Sequence, residues 1–276
     1  MRRVYAAGCG GERSGTMAEM STHENHAPLV GTAERATAPS VQLALPRGIP
    51  PAEALFAFAA GAERRIRTLR ARIEERSTTA AGTSRVETEV LLERPRLRVT
   101  TIKREGANGG SYDAWSTDGA YIEQFSSATK THTRRRIRSA PDGLDDADLP
   151  AAAALRDGGE PLPTKSWAAT MLHPGNFCNG VLATGTLGAV SETMVAGRAA
   201  LQVDVAAPRA IGLDGDRADF RYRVAFDRIT GALLAVEELR GERLVRSAIV
   251  TSFVADSPIP SAAFDLEIPA DAVGIY

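Results

Sequence analysis

Few residues in this chain have the types and spacing that catalysis needs. Cys178 and His173 lie five residues apart, with the acidic stretch 142–148 upstream, so a nucleophile and a base can be drawn there. No nucleophile elbow surrounds Cys178, and its neighbours are apolar. A lone cysteine in such surroundings is more often a small buried hydrophobic residue. We therefore predict that the protein is not an enzyme; a hydrolase that uses Cys178 or His173 is the less favoured alternative.

Side chains that bind metals are also sparse. His23 and His26 lie in the N-terminal stretch, and His132 and His173 stand alone, so none has metal-ligand spacing. The run 214–216 resembles part of a calcium loop but lacks the spaced acidic ligands and the terminal glutamate. The chain has no P-loop and no dinucleotide-binding glycine motif. We predict no metal site and no cofactor.

The sharpest basic cluster is formed by Arg134, Arg135, Arg136 and Arg138. On a strand these charges alternate between faces, which suits a solvated sheet edge that resists aggregation better than a nucleic-acid groove. The whole chain carries Lys+Arg 33 against Asp+Glu 34, a net charge of −1, so nothing draws it to polyanions. We predict no nucleic-acid partner, and docking to an acidic protein or to lipid headgroups stays a minor alternative.

The clearest structural signal is an alternating run near the C-terminus. Phe220, Tyr222, Val224 and Phe226 alternate with charged residues, as in a half-buried strand. Glycine-containing turns separate this run from two further β-rich runs that end near residue 254. The sequence therefore predicts an antiparallel meander over residues 219–254.

The other elements follow in a simple order. Apolar residues at three-and-four spacing predict an amphipathic helix from residue 50 to about residue 76. Four strands follow over 84–136, then a helical insertion near 140–185, then strands from 192 onward. We predict an α+β fold, mainly antiparallel β: a curved, unclosed half-barrel of two meanders capped by helices.

The N-terminal residues 1–50 are small, polar and rich in proline, which predicts a disordered tail or linker before a domain over 51–276. Arg2, Arg3 and the small residues before Cys9 resemble the two ends of a lipoprotein signal, but the apolar middle is missing. A disordered tail is thus favoured over a lipidated Cys9. No stretch is long and apolar enough for a transmembrane helix.

Several short motifs, taken in order, resemble the LolA-like lipoprotein-carrier superfamily, which includes the RseB sensor domain and actinobacterial envelope lipoproteins. They are the strand and turn at 92–98, the Asp118-Gly119 turn before Tyr121, the segments 195–200 and 226–231, and the closing segment 258–269. Each motif is only a turn or a strand end, and their order over residues 51–269 carries the resemblance.

The resemblance implies a hydrophobic cavity that receives a lipid or the acyl chain of a lipoprotein, without catalysis. It also implies an extracytoplasmic setting in the cell envelope, although the chain has no complete signal peptide. A regulatory or envelope protein is the alternative partner, bound by a domain with a solid core. From the residues alone, a solid core is the favoured interpretation of the apolar faces, and only the resemblance favours a cavity. The residues expected to line the cavity are Ile66, Leu69, Ile73, Val90, Leu92, Leu97, Val99, Tyr121, Phe125, Trp167, Met171, Phe220, Tyr222, Val224 and Phe226.

Overall fold

The computed structural model describes residues 44–45, 47–79, 82–94, 96–104, 110–136, 167–208 and 219–275. Its helices are α1 (Ala52–Ala60), α2 (Ala62–Arg65), α3 (Trp167–Leu172) and α4 (Pro174–Gly180), with 3₁₀ turns at Leu182–Thr184 and Ser261–Phe264. The first meander comprises β1 (Thr68–Thr79), β2 (Gly82–Glu93), β3 (Arg96–Arg104), β4 (Tyr112–Thr117), β5 (Tyr121–Ser126) and β6 (Thr131–Arg136). The remaining strands are β7 (Thr186–Leu187), β8 (Ser191–Val195), β9 (Arg198–Ala206), β10 (Phe220–Asp227), β11 (Leu233–Arg240), β12 (Arg243–Ala255) and β13 (Val273–Ile275).

All thirteen strands belong to one sheet, in the order β13-β6-β5-β4-β3-β2-β1-β12-β11-β10-β9-β7, with β8 also paired to β9. Every pair is antiparallel except β13 with β6. The two meanders meet where β1 pairs with β12, and the end strands β13 and β7 do not pair with each other. The sheet is therefore open, and the predicted mainly antiparallel half-barrel with few helices is confirmed.

The predicted long helix is wrong in its second half. α1 ends at Ala60, α2 is one turn long, and residues 68–79 form β1 instead. Leu69 and Ile73 are four residues apart, which fits a helical stripe, but Ala71 and Glu75 are buried with them and reveal a period of two. Because β1 pairs along its length with both β2 and β12, hydrogen bonds to distant strands decide its conformation.

The core lies between one face of the sheet and the helices. Leu55, Phe56 and Phe58 of α1 are at most 3% exposed. The ring of Phe56 meets that of Phe226 edge-on, with centroids 5.9 Å apart. Burying side chains of this size contributes about 1.5–3 kcal/mol each. The face of β10 that the alternation predicts to be apolar is thus the face that α1 covers.

The turn between β10 and β11 holds α1 against the sheet. Arg65, at the end of α2, donates from Nε to the Thr230 carbonyl oxygen at 2.9 Å, and its guanidinium lies 3.8 Å from the centre of the Phe58 ring. Gly231 has a φ of +74°, and a Cβ there would come within 2.9 Å of the Phe58 ring. Only glycine combines that backbone conformation with so close an approach. α1 is therefore fixed to the sheet at this point.

Candidate functional site

An apolar seam lies between the helices and the sheet, with a volume of about 30 Å³. It is lined by Ala62, Glu63, Ile66, Leu69, Ala71, Ile73, Leu92, Arg94, Met171, Leu172, Pro174, Ala232, Leu233, Val250 and Phe253. Of these, only Glu63 and Arg94 carry a charge, and both are partly exposed, so they mark the solvent end of the seam. The site is a narrow apolar slot with a charged mouth.

The helices α3 and α4, residues 167–180, cover one side of the seam, and we call them the lid. Two lid rings, Trp167 and Phe177, meet Tyr222 of β10 edge-on, with centroids 5.8 and 5.3 Å apart. The backbone N–H of Trp167 donates to Oε1 of Glu75 on β1 at 2.9 Å, and Arg246 of β12 lies 3.2 Å from the other carboxylate oxygen. The lid is therefore held to the sheet by aromatic edges and one buried carboxylate.

A charged latch closes the mouth of the seam. His173 follows α3, and its Nδ1 lies 3.2 Å from Oε1 of Glu63, while Arg94 approaches the other carboxylate oxygen at 3.8 Å. Burial raises the pKa of Glu63, but the hydrogen bond and charge of His173, together with Arg94 and Arg64, outweigh burial and bring that pKa below its ordinary value of 4.5. The ionised carboxylate therefore ties the lid to α2.

This latch predicts a lid that loosens in acid. Because the pKa of Glu63 is lowered by folding, its contribution is complete above the ordinary glutamate pKa and is lost as the pH falls through the lower folded value. Hydrogen exchange of lid amides, corrected for the intrinsic pH dependence, should show protection falling in that range. Glu63→Gln should accelerate lid exchange about threefold near neutral pH, as expected for a partly exposed ion pair. In this variant, the protection of the lid amides should no longer fall as the pH is lowered through that range.

Glu53→Gln is the matched control, because Glu53 lies on the exposed side of α1. An equal change of lid exchange in both variants would contradict a specific latch.

The structure distributes the predicted cavity residues over three places. Five line the seam: Ile66, Leu69, Ile73, Leu92 and Met171. Others are buried in the core without lining it: Val90, Val99, Trp167, Tyr222, Val224 and Phe226. Leu97 and Phe220 are partly buried against that core. Tyr121 and Phe125 belong to the other face of the sheet. Phe125 pairs in register with Ala114, and Tyr121 is 39% exposed beneath the guanidinium of Arg134.

The structure does not favour Cys178 as a catalytic nucleophile. Cys178 is 0% exposed in the core of the lid, and burial raises the pKa of its thiol to about 12. A thiol of that kind is protonated near neutral pH and is not a nucleophile. His173 has Glu63 as its neighbour. Cys9 lies outside the described residues, as do the run 214–216 and Arg138.

The roles of three side chains of the site, Glu75, Glu63 and His173, have little signal in the sequence. Glu75 looks like one of several charges at the end of the mispredicted helix, yet it is 7% exposed and holds the lid. Glu63 and His173 are 110 residues apart, so only the fold brings them together. The signal that could have identified Glu75 is the period of two through Leu69 and Ile73.

In the part of the chain that the structure describes, no cluster of three or more His, Cys, Asp or Glu side chains could hold a metal ion. None of the described helices has the length and hydropathy of a membrane span.

No protein-family model matches the sequence, and no curated protein matches it. Among solved structures, the Pseudomonas aeruginosa MucA/MucB complex has 18% identity to this chain, covers 81% of it and 64% of the matched chain, and has a TM-score of 0.44. The chain thus spans less than two thirds of MucB, at 64%. The Mycobacterium tuberculosis lipoprotein LppX matches at 10% identity, covering 76% of this chain and 97% of its own, with a TM-score of 0.41.

A third match is an outer membrane lipoprotein-sorting protein domain from Vibrio parahaemolyticus, at 12% identity, covering 78% and 97% of the two chains, with a TM-score of 0.30.

Proposed function

We propose that this protein binds a lipid or an acylated ligand without catalysis, with the acyl chain in the seam between the sheet and the lid. The observation that supports this is the seam itself: an apolar slot in which the charged residues among those described, Glu63 and Arg94, stand at the solvent end. An amphiphile has the same division, with an apolar chain and a polar head. Burial of the chain is the driving force, at about 0.8 kcal/mol per CH₂.

The seam must widen to admit such a ligand. Its volume of about 30 Å³ is close to the share of a single water molecule in the liquid, roughly 30 Å³. A chain of about a dozen methylenes gains roughly 10 kcal/mol on burial. Exposing a few large lid side chains, such as Met171 and Leu172, costs about 1.5–3 kcal/mol each. The gain is of the same size as the loss from three or four such side chains before the ordering cost of association is subtracted, so an acyl chain competes with the lid for the apolar face of the sheet.

The lid is the part that moves in this proposal. α1 is fixed to the sheet by Arg65 and by the ring of Phe56. The lid is held by the latch at Glu63, by Glu75 and by the edges of two aromatic rings, and the latch and Glu75 are charged contacts that water can replace. Charged groups at the mouth would then face the head of the ligand once the latch opens.

The setting that follows from this proposal is the cell envelope, where acylated proteins and their carriers are found. Cys9 is the candidate lipid anchor there. Mass spectrometry of the protein expressed in its native host tests this, since a lipidated Cys9 adds a diacylglyceryl group to the mature N-terminus.

A second candidate is a protein-interaction module, of the kind that a sigma-factor regulator uses. The observation in its favour is the same small volume of about 30 Å³, because a filled interior suits a rigid domain that binds through its surface. The two candidates differ in one measurable property, the uptake of an apolar ligand.

Titration with dansyl-undecanoic acid tests the proposed function. We expect saturable binding to the wild-type chain with a blue shift of the dansyl emission. Ala71→Leu places a larger side chain in the seam and should weaken binding about tenfold or more, because overpacking opposes entry.

Ala248→Leu is the matched control for this titration. Ala248 is also a buried strand alanine of the core, but it does not line the seam, so its variant should bind the probe like the wild type. If the wild type takes up no probe and no lipid copurifies with it, the carrier proposal fails and the interaction module remains.

A further inference from the structure

Arg94 has unused hydrogen-bond donors at the mouth of the seam. It directly follows β2, and it is the one basic side chain among the described residues that line the seam. Its guanidinium forms no hydrogen bond with any described residue, and the 3.8 Å from its Nη2 to Oε2 of Glu63 is longer than a hydrogen bond. A guanidinium carries five N–H donors, and this side chain is 43% exposed. Arg94 can therefore donate to a group that arrives at the mouth.

Two other arginines near the seam are already engaged. Arg65 donates from Nε to a carbonyl oxygen of the turn after β10 and so holds α1 on the sheet. Arg198 lies over the ring of the seam residue Phe253, and its Nε donates to Oδ2 of the buried Asp227 at 2.6 Å. Moving either arginine would break a contact that holds the fold together. Arg94 is thus the arginine at the seam that can change its partner.

The carboxylate of Glu63 occupies a position at the mouth that suits an anion. It lies 3.2 Å from Nδ1 of His173 and 3.8 Å from Arg94, and Arg64 adds a further positive charge nearby. The pKa of Glu63 is below its ordinary value although burial raises it, so these surroundings favour negative charge more than burial opposes it. Glu63 is 33% exposed on a helix of one turn, so its side chain can turn into water and leave this position to another anion.

We propose that the ligand of the seam is an amphiphile with an acidic head, whose carboxylate or phosphate replaces the carboxylate of Glu63 beside Arg94 and His173. This assignment rests on the proposed function, because the acyl chain of the same molecule must enter the seam. Arg94 is then the residue that determines specificity for the head. Its planar guanidinium forms paired hydrogen bonds with a carboxylate or a phosphate, which an alcohol cannot form, and it repels an ammonium head.

Isothermal titration of the full chain with four ten-carbon ligands tests the proposal. The ligands are decanoate, decyl phosphate, decanol and decyltrimethylammonium, all below their micellar concentrations, and they share one chain and differ in the head. We expect at least one of the two acids to bind about tenfold more tightly than decanol, as a hydrogen bond to a charged group gives, and the cation to bind most weakly. The tighter acid distinguishes a fatty-acid head from a phospholipid head.

Arg94→Met removes the guanidinium and keeps an apolar stem. It should weaken binding of the preferred acid about tenfold and leave decanol binding unchanged, whereas a merely structural role would weaken both. Arg85→Met is the matched control, because Arg85 also belongs to β2, has a side chain that is 47% exposed, and does not line the seam. This control should keep the preference for the acid.

Glu63→Gln gives the opposite change, because it removes the carboxylate that competes with the head. It should tighten binding of the preferred acid more than binding of decanol. The proposal is overturned if decanol binds the wild type as tightly as both acids do, or if Arg94→Met keeps the preference, and the acyl-chain function then stands without it. If none of the four ligands binds the wild type, the proposed function fails as well.

Discussion

Replacing Asp227 with alanine should lower the free energy of unfolding by about 3–5 kcal/mol, the cost of removing one partner from a buried charged network. Asp227 is 1% exposed. Its Oδ2 accepts from Arg198 Nε at 2.6 Å, and its Oδ1 accepts from the backbone N–H and the hydroxyl of Thr230 at 2.7 and 2.8 Å. The variant leaves Arg198 and the turn N–H groups without their acceptor. Since that turn also receives Arg65, the attachment of α1 should weaken as well.

Urea unfolding followed by circular dichroism measures this loss. Asp204→Ala is the matched control, because Asp204 is also an aspartate paired with an arginine, Arg223, at 2.9 Å, but its side chain is 40% exposed. An exposed pair of this kind contributes about 1 kcal/mol at most. Similar losses for the two variants would refute the role given to Asp227.

The same carboxylate gives a pH dependence with a defined sign. Burial raises the pKa of Asp227, but the hydrogen bonds and charge from Arg198 and the bonds from Thr230 outweigh burial and lower that pKa below its ordinary value. Its contribution to stability is therefore present above the ordinary aspartate pKa and is lost as the pH falls through the lower folded value.

The meanders were predictable because each strand carries its own alternation. In β10, Tyr222, Val224 and Phe226 report a two-residue period, and glycines such as Gly231 mark where the chain turns. The two motifs that contain Arg198 and Asp227 were also recognisable separately. Their contact was not, because it depends on the register that pairs Asp227 with Ala200.

The helix predicted over residues 50–76 shows why a local apolar pattern alone does not decide between helix and strand. Leu69 and Ile73 satisfy both a helical and a strand period, and the twelve-residue strand forms because β2 and β12 supply partners from up to 186 residues away. The error concealed Glu75, whose side chain points to the lid only when residues 68–79 are extended. Five seam residues were nevertheless predicted, and three of them, Leu69, Ile73 and Leu92, are apolar positions on β1 and β2 that face the core in either interpretation.

The proposed function rests on a lid that separates from α1 and the sheet. A disulfide between the two helices should prevent this. A Cβ added at Gly175 of α4 would lie 3.9 Å from the Cβ of Ala60, within the roughly 3.5–4.5 Å that disulfides span. Gly175 does not have a left-handed φ, so cysteine is accommodated there. The double variant Ala60→Cys/Gly175→Cys, made with Cys9 and Cys178 replaced by alanine, can thus join the lid to the anchored helix reversibly.

Dansyl-undecanoic acid binding to this variant, measured oxidised and then after reduction in the same sample, tests the lid most directly. We expect the oxidised form to lose nearly all uptake, because the lid is then tied to a helix that Arg65 holds on the sheet, and the reduced form to recover it. The parent without native cysteines should bind equally under both conditions. Equal uptake by the oxidised and reduced forms of the variant would contradict entry by lid opening.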